Sequence, residues 1–75
     1  MIHEQMRVGF IGGGRVARVL VGGWRRAGAL SFQVLVNEPD DAAFARLAEL
    51  CPEVRRSPLE EAAAADVVFL ALHPP

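Results

Sequence analysis

Apolar residues follow two rhythms along this chain. Continuous apolar runs alternate with stretches in which apolar positions recur every three or four residues. Val8 to Ile11 is a short apolar and β-branched run bounded by glycine, the pattern of a strand buried on both faces. From Gly14 to Ala27 the positions Val16, Ala17, Leu20, Val21 and Trp24 fall on one side of a predicted helix, with Arg15, Arg18, Arg25 and Arg26 mostly elsewhere on its circumference. Gly28 stands where a left-handed C-terminal cap is wanted. Gly22 and Gly23 inside this helix cost about 1 kcal/mol each against alanine, which points to a close approach, most simply by the sheet beneath.

Phe32 to Val36 repeats the buried-strand pattern and ends at "NEPD", where Asn37, Pro39 and Asp40 supply turn chemistry and a helix start. The next helix is predicted over 41–50, with Phe44, Leu47, Ala48 and Cys51 on one face and Pro52 as its stop. "EVRR" is a weak third strand, because Val54 is its one apolar residue. "SPLEE" has the spacing of a capping box, with Ser57 as cap, Pro58 in the first turn and Glu60 facing back, so a short alanine-rich helix is expected to about Ala65. Asp66 then leads into "VVFLAL", the most continuous apolar run of the chain and a strand.

Strands alternating with helices imply right-handed crossovers and a parallel sheet. The expected fold class is therefore α/β, a doubly wound parallel sheet in the order 3-2-1-4. Growth reverses between the first and fourth strands, and that reversal opens a crevice at their carboxyl ends.

Composition narrows what this crevice can do. With 75 residues there is room for one domain, and a formal net charge of −1 lacks the positive excess typical of a nucleic-acid binder. All 8 basic residues are arginine, so no lysine is present for a Schiff base or a phosphate-loop amine. Cys51 has no second cysteine to pair with, which fits a reducing compartment, and its plainest role is that of a small buried apolar residue. "MIHEQMR" has no secretory pattern, and "VVFLAL" is far short of the roughly 20 residues a membrane span needs, so a cytoplasmic protein without membrane contact is expected. No metal site is assigned. The chain stops at "LHPP" just after an apolar strand, and reads as the first part of something longer.

The chemistry concentrates in "VGFIGGGRVAR". Gly12, Gly14 and Ala17 form G-x-G-x-x-A directly after a strand and at the opening of a helix. Gly12 suits the tight turn, Gly14 lets backbone approach a pyrophosphate, and Ala17 lets the helix pack close to the sheet. The helix start adds unpaired N–H groups and the positive end of its dipole. Glu38, 21 residues after Ala17 at the end of the second strand, is placed to accept hydrogen bonds from an adenosine ribose and to repel a 2′-phosphate, which favours NAD(H). Asn37 competes for that role, since sequence alone leaves open which side chain faces the crevice. Arg46, the nearest following basic residue, sits well into the second helix, so no dedicated 2′-phosphate clamp is evident. Arg15 is a candidate pyrophosphate contact or a plain exposed arginine.

"VGFIGGGRVARVLVGGWRRAG", "VLVNEPD" and "ADVVFLALHPP" resemble the amino-terminal dinucleotide-binding domain of the pyrroline-5-carboxylate reductase family, over 7–75. Coenzyme F420-dependent NADP oxidoreductase domains carry similar blocks, and β-hydroxyacid dehydrogenases do so more distantly. The resemblance implies a Rossmann domain that binds NADPH or NADH and delivers hydride to the ring carbon–nitrogen double bond of pyrroline-5-carboxylate, giving proline. It places Gly12, Gly13, Gly14, Arg15 and Val16 in the cofactor loop, Asn37 and Glu38 at the adenosine end, and Leu72, His73 and Pro74 on the nicotinamide side. Two positions depart from the family pattern: Arg15, where relatives carry asparagine or glutamine, and His73, where they carry lysine.

His73 is a candidate proton donor or an ordinary loop histidine, and His3 has no visible partner. Relatives place substrate contacts in a following helical domain that also makes the dimer, so a homo-oligomer and a small-molecule substrate are implied for the full-length protein. The free edge of "VVFLAL" independently predicts pairing with another chain. The rival functions are an F420-linked NADP reductase or another imine or keto-acid reductase, and, from a different class, a non-catalytic dinucleotide-binding module.

Overall fold

The computed structural model describes residues 5–72. The chain runs β1 (Arg7–Ile11), α1 (Arg15–Arg26), β2 (Gln33–Asn37), α2 (Asp41–Leu50), β3 (Arg55–Arg56), α3 (Leu59–Ala63) and β4 (Val67–Leu70). The four strands form one sheet in the order β3-β2-β1-β4, and every pairing is parallel. This is the doubly wound Rossmann-type arrangement expected from the element order.

Strand alternation separates two faces of the sheet. Val8, Phe10, Val34 and Val36 enter one core cluster with Ala17 and Val21 of α1 and Leu47 of α2. Phe10 is fully buried, stacks on Phe69 at 5.2 Å and lies 6.1 Å from Trp24 between ring centroids. Removing its side chain from water contributes about 2 to 3 kcal/mol. The intervening residues Gly9 and Leu35 face the other way, where α3 packs against β1 and β2 with Ala62 buried. α3 comes so close that a β-carbon on Gly9 would fall on the Ala62 carbonyl oxygen.

The helix α1 starts after Gly14 and ends at Ala27, with Arg25 and Arg26 in its last turn, where cations complement the helix dipole. Gly28 takes φ +68°, the left-handed cap expected of it, and its N–H donates to the Arg25 carbonyl. Val16 leaves the apolar stripe predicted for it and is 53% exposed, because it lies in the first turn of α1, before the buried stripe begins at Ala17. Gly22 and Gly23 also differ from expectation. The nearest atoms a β-carbon would meet are the tips of Arg26, at 3.4 and 4.0 Å, and not the sheet. Gly23→Ala is therefore expected to raise stability by about 0.5 to 1 kcal/mol, read as a higher midpoint in thermal or urea unfolding. A lower midpoint would show that something does pack on this turn.

At α2, Asp40 caps the helix by accepting from the Ala42 N–H at 3.2 Å, and Leu47 and Cys51 are fully buried. Burial raises the Cys51 thiol pKa, helped by its hydrogen bond to Glu53 Oε1 at 3.3 Å. Glu53 is held below its usual range, first by its own backbone N–H and then by Cys51 and Arg25. The Arg25–Glu53 pair, at 3.2 Å and half-exposed, joins the ends of α1 and α2 across a solvent-screened surface.

The capping box predicted at Ser57 does not form. Ser57 donates its backbone N–H to the Val36 carbonyl at 2.8 Å, extending the β2–β3 ladder, so the helix begins one residue later with Pro58 as its cap. α3 also stops at Ala63, short of Ala65. Asp66 is drawn into β4 pairing instead: its N–H donates to the Arg7 carbonyl at 2.9 Å, and its carboxylate accepts from the Arg7 N–H at 2.7 Å. β4 is an edge of the described sheet, with Val67, Val68 and Leu70 exposed. Among the described residues, no helix is long and apolar enough to cross a membrane.

Candidate functional site

β1 lies between β2 and β4, so the three carboxyl ends meet at one point. Gly12 donates its N–H to the Asn37 carbonyl at 2.8 Å, and Ala71 donates to the Ile11 carbonyl at 2.9 Å. Between them opens a cleft of about 300 Å³, walled by Ile11 and Gly12, by Asn37, Glu38 and Pro39, and by Ala71 and Leu72. The reversal of sheet growth thus makes the crevice that the element order implied.

Gly12 turns the chain out of β1 with φ +98°, and a β-carbon there would stand 2.6 Å from the Ala71 carbonyl oxygen. Gly13 donates its N–H to Glu38 Oε1 at 2.7 Å, while the other Glu38 oxygen accepts from the Asp40 N–H at 2.9 Å. Gly14 is the buried N-cap of α1, whose first turn carries no acidic side chain. The first N–H groups of a helix have no acceptor within it, and here they stand beside a loop of bare backbone. Ala17 is fully buried, as close packing of α1 on the sheet requires.

Asn37 and Glu38 both line the cleft, but their side chains turn in different directions. The Asn37 amide turns to β3 and donates to the Ser57 carbonyl at 3.2 Å, whereas the Glu38 carboxylate reaches across to the glycine loop. Arg15 is the exposed first residue of α1, Val16 follows it exposed, and Leu72 lines the opposite wall of the cleft. His73 and Pro74, and likewise His3, lie outside the described residues.

Sequence reading passed over Arg56. Its Nε and Nη2 donate to the Glu38 carbonyl at 3.0 and 2.7 Å, and its Nη1 pairs with Asp41 Oδ1 at 2.7 Å. Its guanidinium also lies 5.4 Å from the centroid of the Phe44 ring. The β2–β3 register, with Val36 opposite Arg56, brings this cation to the carboxyl end of β2 beside Glu38.

These features fit a dinucleotide. Side chains at Gly12 and Gly13 would fill the loop, and the Gly13 N–H already donates to an anionic oxygen. Fold and site together define a dinucleotide-binding α/β domain of the Rossmann type. The chain belongs to the family described as NADP oxidoreductase, coenzyme F420-dependent, whose model matches residues 7–75. Over 69 residues it is 38% identical to a pyrroline-5-carboxylate reductase from Pseudomonas aeruginosa, covering 91% of this chain and 25% of that protein. The chain thus spans about a quarter of that relative's length. No solved structure gives a significant match. The family resemblance carried by the glycine loop and the later blocks holds.

Proposed function

We propose that this chain holds and orients the nicotinamide dinucleotide of an enzyme that reduces 1-pyrroline-5-carboxylate to proline, and that it prefers NADH. The observation that carries the reading is the Gly12–Gly14 loop between the ends of β2 and β4, with the Glu38 carboxylate at its rim. The substrate assignment is supported by the similarity to the Pseudomonas aeruginosa reductase.

In this reading Gly14 and the first turn of α1 bind the pyrophosphate through backbone N–H groups, with Gly13 held to Glu38 beside them and Arg15 and Val16 flanking the site. The Glu38 carboxylate accepts from the adenosine ribose hydroxyls and disfavours a 2′-phosphate by charge. Leu72 closes the apolar wall on the nicotinamide side, with His73 and Pro74 following it in sequence. When bound, the nicotinamide supplies the hydride, and this chain's contribution is to fix its position. Substrate contacts and the dimer interface belong to a further domain of the whole protein.

Titrating the whole protein with NADH and NADPH, followed by nicotinamide fluorescence, tests the reading. NADH is expected to bind more tightly, and Glu38→Gln to weaken it by roughly tenfold, the scale of one hydrogen bond to a charged group. Glutamine keeps one acceptor oxygen for the Gly13 N–H, while its amide nitrogen takes the place of the oxygen that accepts from the Asp40 N–H, so circular dichroism of the variant accompanies the titration. Binding of neither dinucleotide would overturn the reading; binding without oxidation by 1-pyrroline-5-carboxylate would remove the substrate alone. The family description favours one second reading, NADP reduction linked to coenzyme F420, which the same protein would reveal when that coenzyme is supplied.

A further inference from the structure

We infer that Arg56 is a latent ligand for a 2′-phosphate, and that its ion pair with Asp41 keeps it from that role and so sets the preference between the two dinucleotides. The inference rests on the cofactor reading above and deepens it at the adenosine end.

The guanidinium is fixed by three elements at once. Val36 of β2 stands opposite Arg56 in the register, the Glu38 carbonyl takes two of its nitrogens, and Phe44 of α2 lies against its face. A carbonyl and an aromatic ring orient a guanidinium without cancelling its charge. Cancellation falls to Asp41, which meets the remaining nitrogen, Nη1, at 2.7 Å. Arg56 is thus a pre-oriented cation with one nitrogen committed to an exchangeable anion, and a fork of this kind suits phosphate oxygens.

Asp41 is easily displaced or replaced. Its side chain is 91% exposed, and it is the first residue of α2, which is capped by Asp40. Glu38 connects this pair to the cofactor loop. Its carboxylate faces Gly13 while its carbonyl faces Arg56, so the proposed ribose acceptor and the cation flank one residue. A 2′-phosphate arriving there meets two carboxylates, Glu38 and Asp41, and an arginine already paired.

The test is binding to the whole protein, measured by calorimetry and by nicotinamide fluorescence with NADH and NADPH as probes. Asp41→Asn, an isosteric change at an exposed position, is expected to tighten NADPH by about tenfold, the scale of one close charge interaction near a protein surface, and to leave NADH within about twofold. Asp41→Asn combined with Arg56→Gln is expected to lose that gain. An unchanged NADPH affinity in Asp41→Asn, or a gain that persists without Arg56, overturns the inference while leaving the cofactor reading intact. A wild-type protein that already prefers NADPH overturns it too. Failure to bind either dinucleotide removes both readings together.

Discussion

Gly9→Ala is expected to be the most damaging single-methyl substitution in this chain, lowering the unfolding midpoint by more than about 12 °C. The added β-carbon would fall on the Ala62 carbonyl oxygen, and it would also stand 2.9 Å from the carbonyl carbon and 3.2 Å from the Ala65 β-carbon. Two of those three atoms are backbone of α3, so no side-chain rotation relieves the overlap. β1 cannot yield either, since β2 and β4 pair with it on both sides. Overpacking a core typically costs about 1 to 3 kcal/mol and occasionally more, and this contact belongs at the upper end. For a domain of this size each kcal/mol moves the midpoint by roughly 4 to 8 °C. Thermal unfolding followed by circular dichroism decides the matter, with Gly23→Ala as the control of opposite sign. A midpoint within a few degrees of the parent would mean that α3 does not rest on Gly9 in solution.

Gly12→Ala is expected to abolish measurable dinucleotide binding while leaving a folded but weaker domain. The position combines φ +98° with an Ala71 carbonyl oxygen 2.6 Å from where the methyl would go. Backbone strain of this kind costs about 1 to 3 kcal/mol, and here it falls at the end of β1 and not in its middle. The chain can respond by moving the loop, which separates β1 from the end of β4 and misplaces the Gly13 N–H. Circular dichroism is therefore expected to show native secondary structure at low temperature, while NADH fluorescence titration shows affinity reduced by a hundredfold or more, the scale on which misplaced positioning groups act. NADH affinity within threefold of the parent would show that the cleft tolerates a side chain at this turn.

These two glycines also mark how far the sequence could be read. Gly12 announced itself, because a G-x-G-x-x-A pattern after an apolar run has a mechanical meaning for each position. Gly9 did not, because inside a run of β-residues a glycine reads as part of the strand, and what it accommodates arrives more than fifty residues later. The limits of α2 and the Gly28 cap rest on local signals, the strand order on the alternation of strands with helices, and all three matched the structure. Ser57 failed as a cap for the opposite reason: its local signal was sound, but its N–H was claimed by Val36 across the sheet.

The site shows the same division. Sequence placed both Asn37 and Glu38 at the end of β2 but could not say which way each would turn. That depended on Asn37 finding the Ser57 carbonyl on β3. Arg56 was hidden because β3 has two residues and almost no apolar signal, so nothing local indicated the level at which it would meet β2.

The walls of the cleft come from residues 11–12, 37–39 and 71–72, three short pieces separated by more than twenty residues each. None of them can hold a ligand until β1 has been enclosed by its two neighbours. Occupancy and folding are therefore parts of one equilibrium. Whatever occupies the cleft selects the folded chain over the unfolded one and stabilises it by an amount that grows with the logarithm of ligand concentration over dissociation constant. In a domain this small, melting temperature doubles as a measure of affinity.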